Sequence, residues 1–431
     1  MMKVAFYTLG CKVNTYETEA VMEMFLNRGY QVVDFDDFSD VYIINTCMVT
    51  NSGERKSKQV IRRPLAINPH AIVIVMGCLS QLKASQMLEI KGVKIVVGTN
   101  NRHHIVDYLE EYLNHPIPQN RVANLSNKEQ FENLSVNDFK THQRAFVKIQ
   151  DGCNNFCSYC IIPYTRGRIR SKAKDLIVEE VKSLVKHGHI EIVLTGIHTG
   201  GYGEDLVGYG FNDLLLDLEK IDGLKRIRIS SIEITELTTE LLNTILRSNK
   251  IVHHFHIPLQ SGSERILKMM NRKYNQQAYK DKITEIKRLF SDVAITTDVI
   301  VGFPGETETE FLESFGFIKE IGFQELHVFP YSKRQGTPAD RMPDQIDKRI
   351  KKERVQRLIQ LSDDLKRNYL NKQIHQTKKV LIEQFKDDYL LGHSKDYVHV
   401  KMKGSEDLIG KEVSVYLDEI DFPMMIGVIK K

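Results

Sequence analysis

Apolar runs at Val4–Leu9, Val41–Thr46, Ala71–Met76 and Lys94–Val97 predict strands, and helices fit between them at Thr15–Arg28 and Asn51–Ile67. Such alternation predicts a parallel sheet covered by helices over residues 1–115. Residues 116–142 are polar, rich in Asn, Ser and Gln, and predict a linker. From residue 143 the pattern repeats. Strands are expected at Ala145–Gln150, Glu191–Thr195, Lys225–Ser231, Val252–Ile257, Ala294–Val301 and Glu325–Tyr331. Helices follow them at Asp175–His187, Leu237–Arg247, Gln276–Phe290, Thr307–Ile321 and Gln345–Asn371. Six such units over 143–371 imply a partial (β/α) barrel, with its chemistry at the carboxyl ends of the strands. Residues 372–431 change to short alternating runs (Lys379–Glu383, Tyr397–Met402, Glu412–Leu417, Gly427–Ile429), predicting a small antiparallel β-barrel. The expected fold class is therefore α/β in three parts.

Composition narrows the setting. The 431 residues are 42% hydrophobic and 27% charged, with no apolar stretch approaching the roughly 18 residues of a membrane span and no signal pattern before Cys11. With 60 basic against 56 acidic residues, nucleic-acid binding has to be argued locally. Residues 341–371 carry nine Lys/Arg against five Asp/Glu, whereas residues 372–431 carry ten of each. Six cysteines, three of them clustered, favour metal ligation in a reducing compartment over disulfides, so a cytoplasmic protein is expected.

Cys153, Cys157 and Cys160 are spaced C-x3-C-x2-C, so one loop can turn three sulfurs onto one centre. A closed zinc site needs a fourth ligand, and the next His, His187, lies across a predicted helix. Three thiolates on a cubane iron–sulfur cluster leave one iron open to substrate or cofactor. Cys11, Cys47 and Cys78 each sit just past an apolar run. In a parallel sheet such positions collect at the carboxyl edge, where open α/β folds bind ligands. One such Cys would be an ordinary small buried hydrophobe; three at one edge point to shared ligation.

The spacing around Tyr159 and the continuation Cys160-Ile161-Ile162-Pro163-Tyr164-Thr165-Arg166-Gly167-Arg168 resemble the radical S-adenosylmethionine (SAM) methylthiotransferase family. Thr8-Leu9-Gly10-Cys11-Lys12-Val13-Asn14 resembles its N-terminal signature, most closely that of the MtaB-type branch acting on N6-threonylcarbamoyladenosine. The resemblance implies two 4Fe–4S clusters, one on Cys153, Cys157 and Cys160 and one on Cys11, Cys47 and Cys78. It also implies two uses of SAM: methylation of a sulfur at the second cluster, and radical generation at the first. The C-terminal part stands where this family carries its RNA-binding TRAM module.

Candidate cofactor contacts lie at the strand ends. They are Tyr159 beside the last cysteine, Gly196 after the second barrel strand, and Ser231 or Glu233, either of which suits the ribose. Gln260 and Ser261 are expected to line the cavity, and Gly302 lies on a strand end resembling the superfamily's adenine-contacting strand. Arg166, Arg168 and Arg170 alternate after the cluster loop and are expected to grip RNA phosphates. A purine C2–H is not acidic enough for ordinary general-base removal, so radical chemistry is the expected route to a C2 methylthio group. The expected function is methylthiolation of threonylcarbamoyladenosine in a tRNA anticodon stem-loop, with an external electron donor, a sulfur source and no membrane. Isopentenyladenosine and a ribosomal-protein aspartate are the substrates of the other branches. A non-catalytic, metal-stabilised RNA-binding protein is the alternative from another class.

Overall fold

The computed structural model describes residues 1–125 and 130–430. The N-terminal sheet contains β1 (Lys3–Thr8), β2 (Gln31–Val33), β3 (Val41–Thr46), β4 (Ile72–Gly77), β5 (Val93–Val96) and β6 (Gln119–Asn120). All pairings are parallel, in the order β2-β1-β3-β4-β5-β6. The central strand β3 is buried along its whole length, as a sheet covered on both faces requires. The stretch expected as one helix over Asn51–Ile67 is two, Asn51–Ile61 and Pro64–Ile67. Pro64 has no N–H for a continuous helix and instead starts the second.

The barrel strands are β7 (Arg144–Lys148), β10 (Glu191–Thr195), β11 (Arg226–Ile229), β12 (His254–His256), β13 (Ala294–Val301) and β14 (Glu325–Pro330). A short ribbon, β8 (Gln150–Asp151) with β9 (Arg170–Ser171), brackets the clustered cysteines. The six parallel strands form two three-stranded sheets, joined by bridges Ile227–Ile251 and Ser231–His256.

The supposed linker is partly structural. Gln119–Asn120 adds the sixth strand, and Leu134, Val136 and Phe139 are buried in the barrel's core. Residues 126–129 of that segment lie outside the described residues. Its few apolar residues are too widely spaced among polar ones to register as an element, yet Leu134, Val136 and Phe139 each pack into the core, while Ile117 stays exposed.

Helix Lys12–Asn27 of the N-terminal sheet lies along β7 at the barrel's edge, where the Tyr16 hydroxyl meets Leu134 O at 2.6 Å and Glu180 Oε1 at 2.8 Å. Beside it runs a buried charge network. Glu17 pairs with Arg166 (2.8 Å), Lys148 (2.8 Å) and Arg102 (2.5 Å), while Asp151 pairs with Lys148 (2.6 Å) and Arg166 (3.1 Å). Arg102 reaches Glu132 of the connecting segment at 2.6 Å.

The C-terminal strands β15 (Thr377–Lys386), β16 (Tyr389–Ser394), β17 (His399–Met402), β18 (Glu412–Asp421) and β19 (Met424–Ile429) close a barrel in the order β15-β16-β17-β19-β18. It is antiparallel except for β17 with β19, which run parallel. Arg226 of β11 docks this barrel, donating to Glu412 (2.7 Å), Lys379 O (2.7 Å) and His393 O (3.0 Å). In the basic helix Lys348–Asn371, Arg354 is buried and meets Glu306 at 2.6 Å, while the exposed Arg367 lies 3.9 Å over the Phe422 ring. Among the described residues no helix is long and apolar enough to cross a membrane.

Candidate active site

The N-terminal cysteines gather because each follows a strand of one parallel sheet. Cys11 caps helix Lys12–Asn27 after β1, Cys47 directly follows β3, and Cys78 opens helix Cys78–Leu88 after β4. Helix N-termini favour thiolate. Gly77, at φ +98°, makes the turn into Cys78, and a Cβ there would overlap the Asn45 side chain and the Thr46 carbonyl. The three thiols lie within one another's electrostatic reach. Cys11 is accessible to solvent, yet burial still raises its thiol pKa; both hold because it lines an internal cavity.

The second set sits on the loop between β8 and β9. Gly152, at φ +76°, lets that loop pass against the Arg168 carbonyl. Cys160 N–H donates to Cys157 O (3.0 Å) and Asn155 N–H to Cys153 Sγ (3.4 Å). Arg272 Nη1 donates to Cys157 Sγ at 3.2 Å, and its other nitrogen pairs with Glu233.

Burial pushes the Cys47 thiol up to about 11 and the Cys153 and Cys160 thiols up to about 12. Such thiols stay protonated near neutrality unless a metal displaces the proton. Three soft sulfurs per set, with N–H donors on two of the sulfurs of the loop set, form a donor set that fits an iron–sulfur cluster with one iron left open.

Both sets open on one cavity of about 460 Å³. Cys11 and Cys47 form one wall; Tyr159, Cys160, Gln260 and Asp298 form the other, with Phe329 and Tyr331 as its apolar part. Gln260 holds an αL conformation (φ +65°), its N–H on Asp298 O and its carbonyl accepting from Ile300 N–H, both at 2.8 Å. Burial raises the Tyr159 hydroxyl pKa well above the ordinary tyrosine value.

The other expected contacts divide. Ser231 is exposed at the third strand's end, and Glu233 stands by the cluster loop, its carboxyl pKa raised by burial despite Arg272. Gly196 is required by close packing, since a Cβ would come within 2.9 Å of Gln150 Oε1. Two expectations are corrected. Ser261 is buried and meets Ser314 Oγ at 3.2 Å rather than lining the cavity. Gly302 gives its N–H to Glu306 (2.6 Å) and packs against Lys351, so that amide is not free for a base edge.

The arginine stretch is also corrected. Arg166 is fully buried in the network with Glu17 and Asp151, and also reaches Asn14 Oδ1 at 2.9 Å. Arg170 is buried, donating to Arg166 O at 2.7 Å. The alternation did not hold: Arg166 ends the short helix Ile162–Arg166 and reaches across the domain contact, while Arg170, on β9, turns in against the Arg166 carbonyl. Arg168 alone of the three is exposed, 4.4 Å over the Phe156 ring.

Sequence reasoning missed Arg272 and Asp298. An acid inside the apolar strand Ala294–Val301 was a readable sign of an inward-facing polar site; nothing in the local sequence marked Arg272, which sits just past the helix Glu264–Met269.

A partial parallel barrel with three cysteines after its first strand, joined to a parallel α/β sheet, defines a radical SAM enzyme with an added N-terminal domain. The radical SAM superfamily pattern matches residues 147–318, and that of "uncharacterized protein family UPF0004" matches residues 3–98. The chain is 48% identical to the threonylcarbamoyladenosine tRNA methylthiotransferase MtaB of Bacillus subtilis, over 99% of this chain and 96% of that protein. It is 39% identical to the MtaB of Aquifex aeolicus (96% and 100% covered). It is 35% identical to the tRNA-2-methylthio-N(6)-dimethylallyladenosine synthase of Pelotomaculum thermopropionicum (100% and 98% covered). The methyltransferase TsrM of Kitasatospora setae, solved with cobalamin and a [4Fe-4S] cluster, shares the fold at TM-score 0.58 and 12% identity, covering 78% of this chain and 74% of that one. The chain belongs to the radical SAM tRNA methylthiotransferase family.

Proposed function

We propose that the protein places a methylthio group on C2 of N6-threonylcarbamoyladenosine beside the anticodon of tRNA, in the cytoplasm. The observation that carries this reading is the shared cavity, where Cys11 and Cys47 face Cys160 and Tyr159 across a space large enough to admit a purine. The similarity to the two MtaB proteins supports the choice of base.

Cys153, Cys157 and Cys160 would hold one 4Fe–4S cluster and Cys11, Cys47 and Cys78 the other. With SAM they would supply a 5′-deoxyadenosyl radical and a methylated sulfur. The chain's own residues orient and enclose. Arg272 fixes Cys157 Sγ and Glu233, Gln260 and Tyr159 wall the cofactor side, and Phe329 and Tyr331 keep water from the reacting edge. An electron donor and a sulfur source are required partners. Nucleoside mass spectrometry of tRNA from a deletion strain tests the assignment. Threonylcarbamoyladenosine should accumulate in place of its methylthio form; loss of methylthiolated isopentenyladenosine instead would assign the protein to the other branch.

The two cysteine sets stand on different domains and should be separable. Cys47→Ala should retain about half of the eight irons of two such clusters, cleave SAM without coupling, and give no methylthio product. Product formed at the wild-type rate would make Cys47 structural.

Arg168 is exposed beside the cluster loop, which supports a role in neutralising an RNA phosphate. Arg168→Ala should lower the slope of log affinity against log salt by about 0.7–0.9. An unchanged slope would remove it from the interface.

A further inference from the structure

Below the shared cavity the barrel lumen holds an unusual gathering of cations. Lys12 follows Cys11 directly, and its ammonium stands within electrostatic reach of Arg144, Arg228 and Tyr397. The arginines are neutralised: Arg228 meets Glu191 at 2.7 Å and Arg144 meets Glu383 at 3.1 Å, and both guanidiniums lie over the Tyr397 ring, at 4.9 and 5.3 Å. Lys12 has no side-chain hydrogen-bond or ion-pair partner among the described residues. It is ringed by protein yet remains exposed, so it faces an open internal space and not the outer surface.

The lumen's next layer up is also polar. Asp298 pairs with His256 Nε2 at 3.2 Å and His327 Nδ1 at 3.3 Å, with the two imidazoles stacked at 5.2 Å. His327 Nε2, on an exposed ring within electrostatic reach of Lys12, has no hydrogen-bond partner among the described residues. Asp298 also walls the cavity that holds Cys11, and Lys12 is the next residue after that cysteine, so both groups stand at the cavity's edge.

An enclosed ammonium whose neighbouring arginines are already paired has no anion of its own, and a carboxylate accepts from both an ammonium and an imidazole N–H. We infer that Lys12, assisted by His327, forms a carboxylate subsite that reads the threonyl carboxylate of the modified base. This rests on the substrate assignment above. The subsite would let the enzyme tell threonylcarbamoyladenosine from an adenosine carrying an uncharged N6 substituent. Rejection follows from the same physics, because an apolar group would leave the enclosed ammonium unpaired.

The test uses the full-length protein reconstituted with iron and sulfide, and two anticodon stem-loops. One carries threonylcarbamoyladenosine; the other carries the same base with its carboxylate converted to the amide. The wild type should prefer the acid by about ten- to a hundredfold in kcat/KM, the range lost with one charge-assisted hydrogen bond. Lys12→Gln should erase that preference by losing rate on the acid alone, with iron content and RNA-free SAM cleavage retained. Equal turnover of acid and amide by the wild type overturns the inference while leaving the substrate assignment standing. Loss of RNA-free SAM cleavage in Lys12→Gln also overturns it, since the carboxylate read would then be that of SAM. A wild type that methylthiolates neither stem-loop overturns the substrate assignment and this inference together.

Discussion

Cys157→Ala should reduce 5′-deoxyadenosine formation by more than about a hundredfold, beyond the 10–100-fold typical of losing an outer partner of a metal ligand. Cys157 is one of only three thiols on the loop between β8 and β9, and two sulfurs cannot hold a cubane in its normal geometry. Its sulfur also accepts from Arg272 at 3.2 Å, so its removal leaves a buried guanidinium with Glu233 as its remaining charged partner. The N-terminal sheet does not contain this residue and should fold around the other three cysteines. Iron analysis with SAM cleavage under reducing conditions reads both effects. Undiminished 5′-deoxyadenosine would remove Cys157 from the ligand set.

The second large effect is structural. Arg166→Ala should cost about 3–5 kcal/mol, the range for taking one partner from a buried ion pair, and leave the salt slope of RNA binding unchanged. Burial alone would raise the carboxyl pKa values of Glu17 and Asp151. Arg102, Arg166 and Lys148 outweigh it at Glu17, as do Lys148, Arg166 and Arg170 at Asp151, and hold both well below the carboxylate range. A depressed carboxylate contributes stability that is complete above its unfolded pKa, about 4, and that is lost as pH falls through the lower folded value. Wild type should therefore keep this contact well below pH 4, and Arg166→Ala should let go at higher pH. Thermal and acid unfolding with amide exchange on helix Lys12–Asn27 would show it. A variant of unchanged stability would mean that Lys148 and Arg102 suffice.

Much of the architecture was legible because periodicity and burial agree. β3 runs Val41–Thr46 as the sequence predicts, because a parallel strand covered on both faces reads as a nearly continuous apolar run; the six barrel strands shift by only a few residues although β11 and β12 alternate charged or polar residues with apolar ones. The cysteine positions were legible for a related reason: the carboxyl edge of a sheet is fixed once its strands are. What escaped depended on partners distant in sequence. Spacing alone could not say whether Arg166 and Arg168 faced RNA or the neighbouring domain. Glu17, 149 residues away, decided it for Arg166, and an aromatic neighbour at the surface left Arg168 free to face solvent. Ser261 failed likewise, because Ser314 on a packed helix claimed its hydroxyl. β16 was missed because its buried positions are Leu390, Gly392 and Ser394, two of them not apolar, so the sequence does not show the alternation that burial reveals.

The central claim is that both cysteine sets act on one purine edge in one cavity. Its most direct test is a threonylcarbamoyladenosine stem-loop deuterated at C2, incubated with the reconstituted protein, SAM and a reductant. The account predicts a C2 methylthio product, with the deuterium recovered in 5′-deoxyadenosine. A methylthio product formed with no deuterium in 5′-deoxyadenosine would contradict it.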